Sequence, residues 1–322
     1  MSPGTEAQAD LRATAGRASD RGGILVLDKP AGMSSHDVVA VVRRALRHMK
    51  VGHTGTLDPF ATGVLPLVVG RATRLAQFFS GAEKEYDARI RLGRATDSYD
   101  VTGSVTFEAP PGSIRPSEQR VGDTLRSFVG PLMQVPPAYS AKMTAGVRAY
   151  ERARRGIAVE LPASAVTLHR VEVVGMDGDL VDIRLTCSAG FYVRSLAYDL
   201  GVTLGTGAYL ESLRRTRSGV FGLDSAVTLD AVPDQRASLL SRMVPLDSLL
   251  TGLPAVAVTE IGVQYVRHGR NIGPSELREP PGGHAWPDRV RLVGPDGALL
   301  AIADAIADNV PGPVLHPTVV LV

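Results

Sequence analysis

The segment Gly52-His53-Thr54-Gly55-Thr56-Leu57-Asp58-Pro59 is a polar, glycine-containing loop between two apolar parts of the chain. Loops that are held on a rigid scaffold often carry binding or catalytic groups. Its one carboxylate, Asp58, precedes Pro59, which favours an extended backbone and stiffens the chain around the carboxylate. On residue types alone, an Asp-Pro pair in a loop is more often a structural turn than a catalytic site. The assignment of this loop therefore depends on the rest of the sequence.

The residues on both sides of the loop predict alternating strands and helices. The apolar run 24–27 predicts a buried strand, and Ser34 or Ser35 caps a helix that continues at helical spacing to Met49. We interpret 51–62 as a loop without regular structure. Apolar patterns then predict further strands at 63–69, 83–93, 165–174 and 179–187, and helices at 71–79, 117–128, 150–155, 193–204 and 210–215.

Mixed strands and helices of this kind predict an α/β (α+β) fold. Residues 1–22 are polar and rich in Ala, Gly, Arg and Asp, and we interpret them as a disordered N-terminal tail. The main domain follows at 23–250. The composition shifts near 233–254, and short strands, glycines and a turn-rich segment come after it. We therefore place a small β-rich C-terminal domain at 255–322.

The composition excludes several classes of protein. No stretch reaches the roughly 18 consecutive apolar residues of a membrane-spanning helix, and the N-terminal residues lack the apolar run of a signal peptide. The single Cys187 cannot form an internal disulfide, and its alternating neighbours predict a buried strand thiol. No motif for phosphate-loop or metal binding is present, so we expect no metal. These observations predict a cytoplasmic protein that does not insert into a membrane.

Charge is informative locally rather than globally. The net charge is only +2, which does not by itself indicate a nucleic-acid partner. Basic residues nevertheless concentrate in 43–94, in 142–155 and at Arg214, Arg215 and Arg217. Clusters that converge on one face would follow a phosphate backbone, although each cluster alone is more simply explained as solvated surface.

The stretch 52–65, which contains Asp58, closely resembles the catalytic loop of the bacterial tRNA pseudouridine-55 synthases, the tRNA pseudouridine synthase B family. Other segments resemble further motifs of that family in the same order, at 28–35, 84–86, 92–103, 136–141, 188–194 and 213–215. One departure is Lys142-Met143, where the family has an aliphatic residue followed by lysine. The resemblance covers roughly 23–225 and is weaker over the C-terminal region.

The resemblance implies a fold and an activity. The implied fold is a pseudouridine-synthase catalytic domain on a mixed, largely antiparallel sheet with flanking helices, followed by a small PUA-like RNA-binding domain. The implied activity is isomerisation of uridine to pseudouridine at T-loop position 55 of tRNA. That reaction breaks the N1–C1′ bond, turns the base and joins C1′ to C5. It involves no redox change and consumes no water, so we expect no cofactor.

Three residues are implied to be catalytic. Asp58 is the essential carboxylate, acting either as a nucleophile or as a base that removes a sugar proton. Arg194 lies beside it in the family, and an opposite charge at that distance lowers a carboxylate pKa and favours the ionised form. Tyr86 is implied to stack on the target base and to help remove the C5 proton, whereas its strand pattern alone favours an ordinary core tyrosine.

Four more residues are implied to bind RNA or substrate. The target base must leave the RNA stack, and His53 would fill the vacated space or stack on displaced bases. Leu213 would line the uracil pocket, and Tyr192 belongs to the same motif as Arg194. Lys29 would contact the substrate, or would only shape the turn near the active site.

The leading hypothesis is a stand-alone monomer that acts on the T-stem-loop of tRNA without an obligatory protein partner. One alternative is an RNA-binding or tRNA-folding chaperone that uses the same basic surface without catalysis. Another is a related synthase with a different RNA substrate, such as one that depends on a guide RNA. Modification of naked tRNA by the purified protein distinguishes these hypotheses.

Overall fold

The computed structural model describes residues 21–112, 115–140, 142–144, 147–148, 152, 155, 161–231, 236–279, 287–306 and 314–322. The predicted tail falls almost wholly on 1–20, and the predicted helix 150–155 on a segment of which only 152 and 155 are described. Both predictions therefore lie outside the described residues, except that the first strand already begins at Gly22. No helix in the described part of the chain is long and apolar enough to cross a membrane.

The secondary structure alternates between strands and helices along the chain. Its first part consists of β1 (Gly22–Lys29), α1 (Ser35–Leu46), β2 (Val51–His53), β3 (Thr62–Gly70), α2 (Ala76–Ser80), β4 (Lys84–Leu92), β5 (Arg94–Thr96), β6 (Val105–Glu108), α3 (Glu118–Ser127), β7 (Gly130–Gln134), β8 (Met143–Thr144) and β9 (Val147–Arg148). Its second part consists of β10 (Ser164–Asp177), β11 (Leu180–Cys187), α4 (Val193–Leu204), β12 (Ala208–Ser218), β13 (Phe221–Gly222), β14 (Val227–Thr228), α5 (Arg236–Ser241), β15 (Val244–Pro245), β16 (Ala255–Ala257), α6 (Glu260–Arg267), β17 (Arg289–Val293), β18 (Leu299–Ile306) and β19 (Val314–Val320).

Eleven of the described strands form one large mixed sheet. Its main path runs β14-β1-β3-β12-β4-β11-β10-β7, with β2 beside β3, β13 beside β12 and β15 beside β1. The pairs β1–β14 and β3–β12 are parallel, and the other pairs of this sheet are antiparallel. Helix α4 packs against β12, and α3 packs against β10. The expected α/β class, with a mixed and largely antiparallel sheet, is confirmed.

Local sequence explains the central elements. Strands β1 and β3 are nearly continuous apolar runs because both of their faces are buried. Strand β4 alternates, with Tyr86 on its buried face as predicted. Helix α1 begins with a capping box in which Ser34 and Asp37 bond each other's backbone amides, and α4 ends at the left-handed Gly205.

Three local predictions need correction. The segment 210–215, predicted as a helix, lies within strand β12. The predicted loop 51–62 begins with a short strand, β2, which pairs with β3. Helix α1 ends at Leu46, before Met49, and its last residue is followed by Arg47 at a positive φ of 32°. The prediction of a buried thiol at Cys187 is confirmed, and burial raises its pKa to about 12.

The C-terminal strands form a separate four-stranded sheet, β16-β17-β18-β19. One face of this sheet covers its own small core. Leu299, Ile302 and Leu321 instead join Ile24 and Val64 in a cluster shared with the large sheet. The contact is reinforced where the Arg71 guanidinium donates to the Leu321 carbonyl at 2.8 Å. The two sheets are therefore packed against each other through buried apolar side chains.

Candidate active site

Residues 54–61, the Asp58 loop, are fixed to helix α1 and to the turn before it. Ser35 Oγ accepts a hydrogen bond from the Leu57 amide at 2.9 Å and donates one to the Leu57 carbonyl at 3.0 Å. The buried Lys29 ammonium donates to three backbone carbonyls, those of Pro30, Met33 and Pro59, at 2.8, 2.7 and 3.3 Å. Its three donors are thus used on the backbone, and burial lowers the pKa of Lys29 to about 8.

Arg215, from strand β12, holds the loop from the other side. Its side chain is fully buried, although it carries a charge. The guanidinium donates to the carbonyls of Val64, Gly55 and Thr56 at 2.7, 3.0 and 3.4 Å. Backbone carbonyls thus satisfy the buried cation, and in return the cation fixes the loop. Asp58 therefore sits on a backbone that is held in place before any substrate binds.

Asp58 forms an ion pair with Arg194, the second residue of helix α4. The Nε of Arg194 lies 2.9 Å from Oδ2 of Asp58, and Nη2 donates to Oδ1 at 3.1 Å. The other guanidinium nitrogen, Nη1, lies 3.2 Å from Oδ2 of Asp100 and donates to the Ser98 carbonyl at 3.1 Å. Nη2 also donates to the Tyr139 carbonyl at 2.9 Å. One buried arginine is therefore shared by two aspartates.

Asp100 is itself tightly held. Its Oδ1 accepts hydrogen bonds from Ser98 Oγ at 2.8 Å, from the Thr102 amide at 2.9 Å and from Thr102 Oγ1 at 2.6 Å. These bonds leave Oδ2 to face Arg194. The Asp100 side chain is 4% exposed, whereas that of Asp58 is 31% exposed. Asp58 is therefore the carboxylate of the pair that a substrate can reach.

The environment acts on the Asp58 pKa in both directions. Burial raises the pKa of Asp58 above the usual aspartate value, the Arg194 cation opposes this, and the negative charge of Asp100 adds to the increase. The sequence-based expectation included only the arginine, which lowers the pKa. Burial and a second carboxylate are the two effects that the structure adds, and together they outweigh the arginine.

Asp58 and Arg194 lie in a wall that two cavities share. The larger cavity, of about 820 Å³, is open along the N-terminus of α1 and the turn that carries Asp100. The smaller cavity, of about 270 Å³, is bounded by residues from β4, β12 and the start of α4. Among the described residues, no group of three or more His, Cys, Asp or Glu side chains could hold a metal ion.

The smaller cavity brings together four of the predicted site residues with Asp58. Tyr86 and Leu213 come from the adjacent strands β4 and β12, in which Tyr86 pairs with Arg215 and Leu213 with Ala88. Both residues are buried. Tyr192 and Arg194 enter from the start of α4. The cavity therefore combines an apolar, partly aromatic lining with a charged wall.

Tyr192 is positioned through its backbone. Its amide donates to Gln134 Oε1 at 2.7 Å, and Gln134 Nε2 donates to its carbonyl at 3.0 Å. Gln134 is buried and ends strand β7. This pair of bonds connects the edge strand to the first residue before α4. It therefore fixes the point from which Arg194 extends.

The two remaining predicted residues border neither cavity. His53 ends β2, and its ring meets that of His36 edge-on at 5.5 Å between centroids. Its Nδ1 is buried without a hydrogen-bond partner among the described residues, and burial lowers its pKa. Lys29 is occupied by backbone carbonyls, as described above. Of the two roles expected for Lys29, this geometry favours shaping the turn.

Sequence reasoning missed three residues of the site. Asp100 was noticed only as part of a motif, and Arg215 only as part of a motif and of a basic cluster. Lys84 was counted among the basic residues, yet it is buried, lines the smaller cavity and donates to the Ser80 and Ala82 carbonyls. The available signal was that all three lie in segments that resemble family motifs.

Two family models match the chain. The TruB family pseudouridylate synthase (N terminal domain) matches residues 43–193, and the tRNA pseudouridylate synthase B C-terminal domain matches residues 194–251. The tRNA pseudouridine synthase B of Solibacter usitatus is 43% identical over 301 residues, which cover 93% of this chain and 99% of the relative. That of Thermobifida fusca is 43% identical over 290 residues, with 88% and 94% covered.

Solved structures agree with these matches. A structure of an H/ACA RNP bound to a substrate RNA containing 2′-deoxyuridine contains a chain with a TM-score of 0.69 and 25% identity, covering 95% of this chain and 87% of that one. A Cbf5-Nop10-Gar1 complex gives a TM-score of 0.69 and 26% identity over 96% and 87% of the two chains. The chain belongs to the TruB family of pseudouridylate synthases.

Proposed function

We propose that this protein isomerises uridine to pseudouridine at T-loop position 55 of tRNA, with Asp58 as the essential carboxylate. The observation that carries the proposal is the Asp58–Arg194 ion pair in the wall between two cavities. The substrate class follows from the relatives, which are named tRNA pseudouridine synthase B and are 43% identical over most of the chain.

The Asp58 carboxylate acts at the ribose. It either attacks the sugar or removes a sugar proton while the N1–C1′ bond breaks, and both routes begin from the ionised form. Arg194 contacts both carboxylate oxygens and so restricts rotation of the side chain. Because the Asp58 loop is already held by Ser35, Lys29 and Arg215, little reorganisation is needed when the substrate binds.

The smaller cavity takes the uracil ring between Tyr86 and Leu213. A base in this position lies against an aromatic face and an aliphatic side chain, while its sugar faces Asp58. Burial raises the pKa of the Tyr86 phenol, which therefore stays protonated at neutral pH. Stacking needs no ionisation, whereas removal of the C5 proton by Tyr86 requires a second group to accept its phenolic proton. Tyr192 closes the cavity beside Arg194.

Basic residues before the Asp58 loop bind the tRNA backbone in this proposal. Arg44, Arg47 and Lys50 are exposed, and no ion pair of theirs occurs among the described residues. They precede β2, which ends at His53 and leads directly into the loop. By contrast, most arginines of strand β4 and of the late cluster are paired with carboxylates. His53 contacts displaced bases beside this exposed basic segment.

The test is Asp58→Asn with an unmodified tRNA transcript and pseudouridine mapping at single-nucleotide resolution. We expect no pseudouridine at position 55 while tRNA binding persists. The matched control is Asp123→Asn, which removes an exposed carboxylate on α3 whose ion pair within the described part of the chain is with Arg126. Wild-type modification by Asp58→Asn would exclude Asp58 as the essential carboxylate, and modification at another position would exclude the proposed target.

A second candidate function is modification of a different RNA with the help of a guide. It is favoured by the structural likeness to chains of H/ACA complexes. In our proposal the protein is instead a cytoplasmic monomer that needs no protein partner. Incubation of the purified protein with naked tRNA distinguishes the two candidate functions. Light scattering of the same protein measures its mass and so tests whether it is a monomer. Modification only after addition of other components would favour the guided function.

A further inference from the structure

Two tyrosines stack next to the active-site arginine. The rings of Tyr99 and Tyr198 lie 4.1 Å apart between centroids, at an interplanar angle of 19°. Tyr198 lies on helix α4, one turn after Arg194 and therefore on the same face of the helix. Tyr99 immediately precedes Asp100 in the turn 97–103. The turn and the helix thus meet at two neighbouring points, the tyrosine stack and the Asp100–Arg194 ion pair.

Tyr99 has an unfavourable backbone conformation. Its φ is +64°, in the left-handed region that side chains other than Gly, Asn and Asp rarely adopt. This conformation turns the chain so that the Ser98 carbonyl and the Asp100 carboxylate both face Nη1 of Arg194. Strain of this kind persists only where the surroundings hold it in place.

Tyr99 is held both through the hydrogen bonds of its backbone and through the contact of its ring. On the backbone side, Leu210 of β12 donates to the Tyr99 carbonyl and accepts from the Val101 amide, both at 3.0 Å. On the ring side, the described contact is the stack on Tyr198. The backbone bonds fix the turn to the sheet, and the stack fixes it to α4. Loss of the stack therefore removes one of the contacts between the turn and the helix, and leaves the Arg194 bonds to Ser98 and Asp100 without its support.

We propose that Tyr99 and Tyr198 are positioning residues for the reaction, whose stack keeps Asp100 and Ser98 against Arg194 and thereby keeps Arg194 aligned with Asp58. This inference rests on the proposed function of Asp58. Neither tyrosine lines a cavity with Asp58, so both act through Arg194 rather than on the substrate. Stacking needs the ring and not the hydroxyl, so phenylalanine is a sufficient substitute at either position.

The experiment compares Tyr198→Ala and Tyr99→Asn with Tyr198→Phe and Tyr99→Phe. Asparagine tolerates the left-handed backbone, so Tyr99→Asn removes the ring without adding strain. We expect both ring-deleting variants to lower kcat on tRNA by on the order of tenfold at an unchanged KM. The phenylalanine variants should retain the wild-type kcat. Val202→Ala, at an exposed position on the same helix, is the matched control.

The pH profile separates positioning from a loss of stability. When the stack is lost, the Asp100 carboxylate is no longer held close to the site, so its charge raises the Asp58 pKa less. Arg194, on helix α4, remains beside Asp58 but is less well aligned with it, which lowers kcat. The acid limb of kcat should therefore move to lower pH in the ring-deleting variants and stay in place in the phenylalanine variants. If Tyr198→Ala does not fold, Tyr99→Asn alone decides the question.

Unchanged kcat and an unchanged acid limb in a folded ring-deleting variant would overturn the proposal, as would phenylalanine variants that are as impaired as the ring-deleting ones. Failure of the proposed function is a different result. In that case Asp58→Asn would itself remain active, whatever the tyrosine variants do.

Discussion

Gly63 and Arg215 pair across the parallel strands β3 and β12 so closely that a Cβ at Gly63 would lie 2.2 Å from the Arg215 backbone oxygen. Gly63 also has a φ of +103°, which favours glycine. The contact occurs at the end of the Asp58 loop. Glycine therefore allows β12, which carries Arg215 and Leu213, to approach the strand that follows the loop.

Gly63→Ala should destabilise the protein by about 2–4 kcal/mol, because the backbone atoms it meets cannot move aside. Urea denaturation followed by circular dichroism measures the effect. Gly52→Ala is the control, since its Cβ would meet only the Val68 side chain at an ordinary 3.5 Å. Equal stability of the two variants would contradict the close approach.

Asp100→Asn should move the acid limb of kcat to lower pH. The Asp58 pKa is raised in the folded protein, so activity that needs the ionised carboxylate falls on acidification at a pH above the usual aspartate value. Removing the Asp100 charge lowers that pKa, while looser holding of Arg194 lowers kcat. Single-turnover rates between pH 4 and pH 8 measure both. A shift toward higher pH would be inconsistent with the proposed charge balance.

Substitutions of Tyr86 should separate its ring from its hydroxyl. Tyr86→Phe keeps the ring and should leave the KM for tRNA unchanged. Tyr86→Leu removes the aromatic face and should raise KM roughly tenfold or more, since stacking on a base contributes about 1–3 kcal/mol. A lower kcat of Tyr86→Phe would then show that the hydroxyl takes part in proton transfer. An unchanged KM in Tyr86→Leu would show that the base does not stack there.

Lys29→Met should destabilise the Asp58 loop by about 1–3 kcal/mol, because buried carbonyls lose their donor. Burial lowers the pKa of Lys29 to about 8, compared with 10.5 for an ordinary lysine. Between these values the unfolded chain binds more protons than the folded protein, so wild-type stability rises with pH through this side chain. The difference between wild type and variant in urea denaturation should therefore grow from pH 8 to pH 10. A difference that shrinks would contradict the lowered pKa.

Local sequence patterns predicted those helices and strands in which buried and exposed residues alternate with a regular period. The helix 193–204 and its end at Gly205 follow from helical spacing and a glycine, and β4 follows from strict alternation. The prediction of a helix at 210–215 was wrong because β12 has register shifts between Leu210 and Ser212 and between Arg215 and Arg217. Each shift interrupts the two-residue period of a strand, so the spacing of the apolar residues in this segment resembles that of a helix.

The candidate site was predictable only in part. Resemblance identified Asp58, Tyr86, Arg194 and Leu213, and the structure brings these four residues around one cavity. Their roles remain predictions. The shared arginine was not predictable, because Asp100 and Arg194 are 94 residues apart and no local pattern indicates their contact. Burial of Asp58, which decides the direction of its pKa, likewise depends on long-range packing.

The shared cluster of the two sheets has a consequence for synthesis of the chain. Leu321 is buried against residues that include Ile24 of the first strand, and the Arg21 guanidinium reaches the Leu321 carbonyl across 300 residues of sequence. A ribosome makes the first strand long before Leu321 emerges. One face of β1 therefore stays uncovered during synthesis until the strands that carry Leu299 and Ile302, and then Leu321, have been made.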